Sequence, residues 1–188
     1  MNVCKSSILP DATISRRQIL IGAAAACCGF ATSPMQARAE GDSGISHSAE
    51  AIHQEPVLNA SCARVYAALT ETKRFDAATQ FSGAMKSGKV AGGAATKISR
   101  EVGGAFALFG GYITGRHIEL VANARIVQAW RAGSWPPGIY SIARFELVEV
   151  DASTKILFDH TGFPAGQAEH LAAGWNENYW QPLAKYLA

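Results

Sequence analysis

Between Arg125 and Thr161 apolar and polar positions alternate along the chain. Ile126, Gln128 and Trp130 share one phase, Val127, Ala129 and Arg131 the other, and the alternation resumes over Ser141–Val150 and Lys155–Thr161. A period near two marks β-strands whose successive side chains face opposite ways. The loop Ala132-Gly133-Ser134-Trp135-Pro136-Pro137-Gly138 and the turn Asp151–Thr154 join them. The same signal predicts strands at Ala95–Arg100, Ala105–Phe109 and Tyr112–Val121, punctuated by Gly103-Gly104 and Gly110-Gly111. Links this short favour an antiparallel meander. Earlier, Ile52–Leu58 predicts a strand in which Pro56 marks an edge or an end. Ser61 then caps a helix with Val65, Ala68 and Leu69 on one face, and a short second helix follows over Lys73–Ala78. Phe81–Gly93, rich in glycine, lysine and small residues, reads as a mobile connection.

From Gln167 the period changes. Leu171, Gly174, Trp175, Asn178 and Tyr179 recur at helical spacing, and Pro182 must end or kink that helix near Trp180. The strand phases put Trp130, Phe145, Phe158 and His160 on one side of the sheet, where this helix is the available cover. The expected fold class is therefore α+β, a long C-terminal helix laid across a curved antiparallel sheet with room for a cavity between them. Gln128, Trp130, Phe145, Phe158 and His160 from the sheet, with Trp175 and Tyr179 from the helix, are the candidate ligand-binding residues. Ser141 is a further polar group for the same space, Gly174 is read as allowing close approach of helix and sheet, and Tyr140 and Arg144 fall on the opposite side. The aromatic residues have a competing role as plain core, because each buries about 150–250 Å². His160 lies in phase with Ile156 and Phe158, so it is either a core histidine with satisfied nitrogens or a general acid or base. His117 and Glu119 are expected on one strand face, with His170 on the helix.

The N-terminal part changes the reading of composition. Ser15-Arg16-Arg17-Gln18-Ile19-Leu20, the apolar run Ile19–Phe30 and the small-x-small Ala37-Arg38-Ala39 occur in the order of a twin-arginine export signal. Residues 1–39 are thus expected to be a signal engaging the twin-arginine export machinery, 40–50 a flexible spacer and 51–188 the folded domain, delivered to the periplasm or secreted. The apolar run is too short for the ~20 residues of a bilayer span, so no stable membrane anchor is expected. The formal charge of +2 comes from the leader, which holds Lys5, Arg16, Arg17 and Arg38 against Asp11. The chain beyond the leader is close to neutral, and no nucleic-acid partner is expected. Cys4, Cys27 and Cys28 also fall in the leader, leaving Cys62 without a disulfide partner.

Other chemistries find no support in the pattern. Gly83-Ala84-Met85-Lys86-Ser87-Gly88-Lys89 has the spacing of a phosphate loop, but Val90 stands where Ser or Thr must hold magnesium. There is no HExxH and no cysteine pair, so neither a metal nor a cofactor is expected. No Gly-x-Ser-x-Gly elbow is present, and no residue is assigned a nucleophilic or other catalytic role.

Several segments together resemble a family. They are Gly103-Gly104-Ala105-Phe106, Leu108-Phe109-Gly110-Gly111-Tyr112-Ile113-x-Gly115, Arg125–Arg131, Trp135-Pro136-x-Gly138-x-Tyr140-Ser141, Phe145-Glu146-Leu147, Asp159–Pro164, Gly174-Trp175 and Tyr179-Trp180. They resemble the bacterial domains named for similarity to the activator of the 90-kDa heat-shock-protein ATPase, within the START-like (SRPBCC) superfamily of helix-grip folds. The resemblance runs from about Ile52 to Ala188. It implies the helix-grip fold and, across the superfamily, hydrophobic-ligand carriers, cyclases and co-chaperones, among which fold alone does not choose. An exported product would meet neither a cytosolic chaperone nor its ATP. Binding of a small hydrophobic or amphipathic ligand is therefore the first expectation, a cyclase- or hydratase-type enzyme using His160 the second, and a chaperone-assisting module the third.

Overall fold

The computed structural model describes residues 50–88 and 93–188. The expected export signal and nearly all of the spacer lie outside the described residues, as do Lys89 and Val90 of the phosphate-loop-like stretch. The remainder follows the predicted order. β1 (Ala51–Gln54) and β2 (Val57–Leu58) precede α1 (Cys62–Thr70), α2 (Thr72–Thr79) and α3 (Gly83–Lys86). Next come β3 (Lys97–Ile98), β4 (Ala105–Leu108), a 3₁₀ turn at Phe109–Gly111, β5 (Ile113–Val121), β6 (Arg125–Ala132), β7 (Ser141–Val150) and β8 (Ser153–Thr161). The chain then enters α4 (Ala168–Trp175), a π-helical turn (Asn176–Trp180) and α5 (Gln181–Leu187).

All pairings are antiparallel, in the order β1-β8-β7-β6-β5-β4-β3, with β2 also on β8. This is the α+β helix-grip (START-like, SRPBCC) arrangement, a curved antiparallel sheet around a C-terminal helix. Pro56, with no N–H to give the ladder, falls in the break between β1 and β2, while its carbonyl still accepts from Ile156 N–H at 2.9 Å. Ser61 caps α1 as expected, accepting from Arg64 N–H, and Val65, Ala68 and Leu69 are its buried face. The stretch expected to be a mobile connection contains α3, capped by Ser82, which accepts from Met85 N–H.

The inner face carries Ile126, Gln128, Trp130 and Ala132 of β6, Ser141, Ala143, Phe145 and Leu147 of β7, and Ile156, Phe158 and His160 of β8, all buried. One row across the sheet pairs Ile52 with His160, His160 with Ala143, Ala143 with Gln128 and Gln128 with His117. The pairing shifts between His117 and Glu119, so Ile118 bulges outward and the phase reverses. The expectation that His117 and Glu119 share a face is thereby corrected. His117 is buried against Phe106, whereas Glu119 pairs with Arg125 on the outside. Gly115 is dictated by the same packing, because a Cβ there would lie 2.1 Å from the Ala129 carbonyl oxygen and 2.3 Å from Phe106 Cζ. Gly115→Ala is expected to cost about 1–3 kcal/mol from overpacking, seen as a thermal midpoint lowered by several degrees.

Pro182 does not end the C-terminal helix. Lacking an N–H, it leaves the usual i−4 bond unmade, and the turn before it widens so that Gln181 N–H reaches the carbonyl of Asn176. Pro182 then sits in the first turn of α5. α4 lies against β1, while α5 packs on α1, α2 and β2. The N-terminus of α4 is capped from far away in sequence. Gln167 makes no side-chain cap, and Glu50 accepts from Gly166 N–H at 2.7 Å and Ala168 N–H at 3.2 Å. No helix among the described residues is long and apolar enough to cross a membrane.

Candidate functional site

The space between sheet and helix is filled at one end and open at the other. Toward β1 and β8 it is solid aromatic packing. The Phe158 ring lies 4.4 Å from that of Trp175, 4.9 Å from Phe145 and 5.1 Å from Trp180, centroid to centroid. The Trp180 indole N–H donates to Gln54 Oε1 at 2.6 Å, and Gln54 Nε2–H donates to the Ala172 carbonyl at 3.0 Å, tying β1 to the terminal helix.

Toward β5 and β6 the helix lifts away, and a cleft of about 1090 Å³ remains. Its walls are α3 (Gly83, Ala84), the Phe109–Gly111 turn, Trp130 and Ala132 of β6, Trp135 of the following loop, and Leu171, Gly174, Trp175, Asn178 and Tyr179 of the helix. Local sequence explains each wall. Phe109, Gly110 and Gly111 all have positive φ (50°, 69° and 87°), which folds the chain back and leaves bare backbone at the cleft surface. The Phe109 conformation is costly for a residue with a Cβ, and its ring is held edge-on by Phe75 and Tyr179 at 5.6 and 5.4 Å. Asn178 clamps α3 to the helix, its Oδ1 accepting from Ala84 N–H at 2.9 Å while Nδ2–H donates to the Gly174 carbonyl at 3.0 Å. Arg131 fixes the loop by donating from Nη2 to the Trp135 carbonyl. The π-turn sits where the helix borders the cleft, and it allows the consecutive Tyr179 and Trp180 both to be buried.

His160 has a complete hydrogen-bond set. Trp175 Nε1–H donates to His160 Nδ1 at 3.0 Å, and His160 Nε2 lies 2.6 Å from Ser141 Oγ. Ser141 in turn donates to the Trp130 carbonyl at 3.1 Å. Because Nδ1 accepts, the neutral ring carries its proton on Nε2 and donates it to Ser141, so every member of the chain is paired. Burial pushes the imidazole down to about 4, and it is neutral at physiological pH.

A family model described as activator of Hsp90 ATPase homolog 1-like protein matches residues 59–188. The chain belongs to this family. It is 29% identical over 90 residues to the mouse activator of 90 kDa heat shock protein ATPase homolog 2, an overlap of 48% of this chain and 27% of that protein. It therefore spans about a quarter of the length of the curated relatives it matches. An Hsp90 activator from Plasmodium falciparum, 22% identical, superposes with a TM-score of 0.58 over 70% of this chain and 91% of that one. CalU16 from Micromonospora echinospora, 19% identical, gives 0.58 over 74% and 77%. At these identities the structural likeness is one of fold.

Within this family member the expected site residues separate into two groups. Trp130, Trp175 and Tyr179 border the cleft. Gln128, Phe145, Phe158 and His160 share their inward phase but not the cavity, because Trp175 and Trp180 lie over Phe145 and Phe158 and fill that end of the interface. Ser141 is likewise consumed by His160, and Gln128 stands beside Ala143 and His117 under the sheet. Of the two readings of His160, the structure has the core histidine with satisfied nitrogens; the alternative, a general acid or base, lacks its geometric condition, since the ring does not reach the cleft and both nitrogens are occupied. Gly174 also differs from expectation. A Cβ there would meet no atom within 4 Å, so it opens onto the cleft and is not a point of close approach. Tyr140 and Arg144 are exposed on the outer face as expected.

Trp135, Phe109 and Gly110-Gly111 are cleft residues that periodicity does not single out. The available signals are a tryptophan held among turn-forming residues and a bulky residue directly before two glycines. Three polar atoms of the cleft residues are shielded from water without a partner of normal hydrogen-bond geometry: Trp135 Nε1, and Trp130 Nε1 and the Tyr179 hydroxyl, which adjoin each other. Each such group costs about 1–3 kcal/mol. Among the described residues, no cluster of three or more His, Cys, Asp or Glu side chains could hold a metal ion.

Proposed function

We propose that this domain binds a small hydrophobic or amphipathic ligand in the cleft between the π-turn of its C-terminal helix, α3 and the Phe109–Gly111 turn. The observation that supports the reading is the unfilled volume of about 1090 Å³ with an aromatic and glycine wall in a domain whose other sheet–helix contacts are closely packed. Specific ligand sites commonly occupy about 300–1,000 Å³ and are mostly apolar with few polar groups. The domain acts on this reading as a carrier or sensor. Read with the leader, residues 1–39 direct it through the twin-arginine machinery to the periplasm, which mass spectrometry of the mature N-terminus tests.

Gly174 offers a direct test of the cleft. Gly174→Ala is expected to raise stability by about 0.5–1 kcal/mol, because it adds helix propensity without steric conflict. Native mass spectrometry of the parent protein is expected to show a co-purifying small molecule, and Gly174→Leu is expected to fold as well as the parent but to lose it. Retention of the same ligand by a folded Gly174→Leu protein would place binding elsewhere. The chaperone-assisting reading has less support on the surface. Ile142 and Val148 are exposed on the outer face of β7, but Arg144 and Glu146 pair between them and divide the apolar area.

A further inference from the structure

The floor of the cleft and its rim differ in chemistry. Phe109, Ile113, Trp130, Trp135 and Leu171 make the floor, and each is buried. The indole N–H groups of Trp130 and Trp135 are closed off from the space, the first of them facing Tyr179, so the surface these residues present is carbon. Such a floor takes an apolar body and offers nothing to a charged group. The rim is polar, and it carries charge of one sign. Glu177 is the one side chain among the described lining residues that is ionised at neutral pH; the other titratable groups there are His170, Tyr112 and Tyr179.

Glu177 sits in the π-turn, and its Oε2 lies 3.8 Å from where a Cβ on Gly83 would stand, which sets the carboxylate against the α3 wall of the cleft. Among the described residues it enters no ion pair, whereas the outer face of the sheet pairs Glu55, Glu119, Glu146 and Asp159. Lys86, at the end of α3, does not line the cleft, and neither does any other described lysine or arginine. The aromatic ring accessible at the mouth is Tyr112, which is 47% exposed. Its hydroxyl lies 3.1 Å from Ser134 Oγ, and the ring rests on Gly133, where a Cβ would come within 3.2 Å of Cδ2. The ring is thereby fixed at the rim, and the electron-rich face of a phenol attracts cations.

An amphiphile that lays its apolar part on this floor leaves its head group at this rim. A carboxylate or phosphate head meets a charge of its own sign there and no described countercharge. A protonated amine gains the Glu177 carboxylate as a charge-assisted acceptor and the Tyr112 ring as a second attraction. Resting on the ligand-binding reading above, we propose that the cleft takes amphipathic organic cations, the apolar body on the floor and a protonated amine at the mouth beside Glu177. The rim thus discriminates among ligands that the floor alone cannot tell apart. It favours an amine over an alcohol of the same shape, and it disfavours free carboxylic acids such as fatty acids.

The test uses three matched probes on the purified protein: 2-naphthylmethylamine as its ammonium ion, the neutral isostere 2-naphthalenemethanol and the anion 2-naphthoate. Calorimetric titration at low salt is expected to show the ammonium ion binding about three- to tenfold more tightly than the alcohol, and 2-naphthoate more weakly than either. Added salt should shrink the difference. Glu177→Gln removes the charge at nearly constant shape and should bring the ammonium ion down to the affinity of the alcohol. Glu177→Lys should reverse the order and make 2-naphthoate the tightest of the three, a change of rank that a merely structural role of Glu177 would not produce. Gly174→Leu, which fills the cleft, should abolish binding of all three. Equal binding of ammonium ion and alcohol, or a preference for the ammonium ion that survives Glu177→Gln, would overturn the charge selection and leave the ligand-binding reading standing. So would tighter binding of 2-naphthoate to the parent protein. Binding of the ammonium ion that persists in Gly174→Leu would place the cation outside the cleft, and binding of none of the probes at millimolar concentration would overturn the proposal together with the reading beneath it.

Discussion

Trp175→Ala is expected to lower the unfolding free energy by about 3–5 kcal/mol, in the upper range for a buried aromatic residue. The indole is 2% exposed and touches both ends of the interface, with ring centroids at 4.2 Å from Tyr179, 4.4 Å from Phe158, 5.6 Å from Trp130 and 5.7 Å from Phe145. Removing it leaves a void that the surrounding rings, fixed on strands and helix, cannot collapse to fill. It also takes the N–H from His160 Nδ1, leaving a buried acceptor unpaired. Trp175→Phe separates the two effects, since it retains most of the ring area and loses the donor, and it should cost about 1–3 kcal/mol. Urea unfolding followed by circular dichroism measures both. A loss under about 1 kcal/mol for the alanine variant would mean that the helix does not rest on the sheet through this side chain.

Acidification is the second large effect. His160 is held neutral, its folded-state pKa depressed to about 4 from 6.5. His117, whose nitrogens have no partner of normal geometry, is also depressed by burial, against a smaller opposing effect of the Ser99 backbone. Above pH 6.5 both are neutral folded or unfolded, and pH has no leverage through them. Below it the unfolded chain takes up protons that the folded one refuses, so stability falls as pH drops from about 6.5 toward 4. His160 contributes a slope of up to about 1.4 kcal/mol per pH unit, on the order of 3 kcal/mol across that window. His117 adds loss of the same sign. His53 acts the other way, because hydrogen bonding to Asp159 and then Glu55 raises its pKa, but it is fully exposed and its effect is screened. Unfolding titrations at about pH 7 and about pH 4.5, on either side of most of that window, give the slope. His160→Gln, whose amide can accept from Trp175 and donate to Ser141, should flatten it by close to one proton. An unchanged slope in that variant would assign the acid sensitivity to other groups.

Much of this architecture is legible from periodicity. The strand phases of β6, β7 and β8 and the stripe Leu171-Trp175-Tyr179 come through because a surface buried on one side leaves no freedom of register. The exceptions share a physical origin. Periodicity reports which side of an element a residue takes, but it does not report how far a neighbouring ring reaches. Phe145, Phe158 and Trp130 are therefore equivalent in pattern, and only the position of Trp180 separates filled interface from cleft. The misplacement of Glu119 comes from a single bulged residue, Ile118, inside an otherwise regular alternation. His160 is recognisable as an inward histidine, but its hydrogen-bond partners come from β7 and α4, which no local window contains. The glycine-lined wall looks in sequence like punctuation between strands. Its second role, leaving space, shows only when strands and helix are brought together.

The widened turn at Asn176–Trp180 reconciles two demands on the terminal helix. In a uniform α-helix successive residues advance by about 100°, so one apolar stripe can be aligned either with the sheet beneath Trp175 or with the pair of N-terminal helices that receives Leu183 and Leu187. The inserted residue resets the azimuth between these docking partners, and each half of the rod meets its own partner squarely. A mutation restoring ordinary helical pitch there would therefore misalign one anchorage whichever way the segment settled.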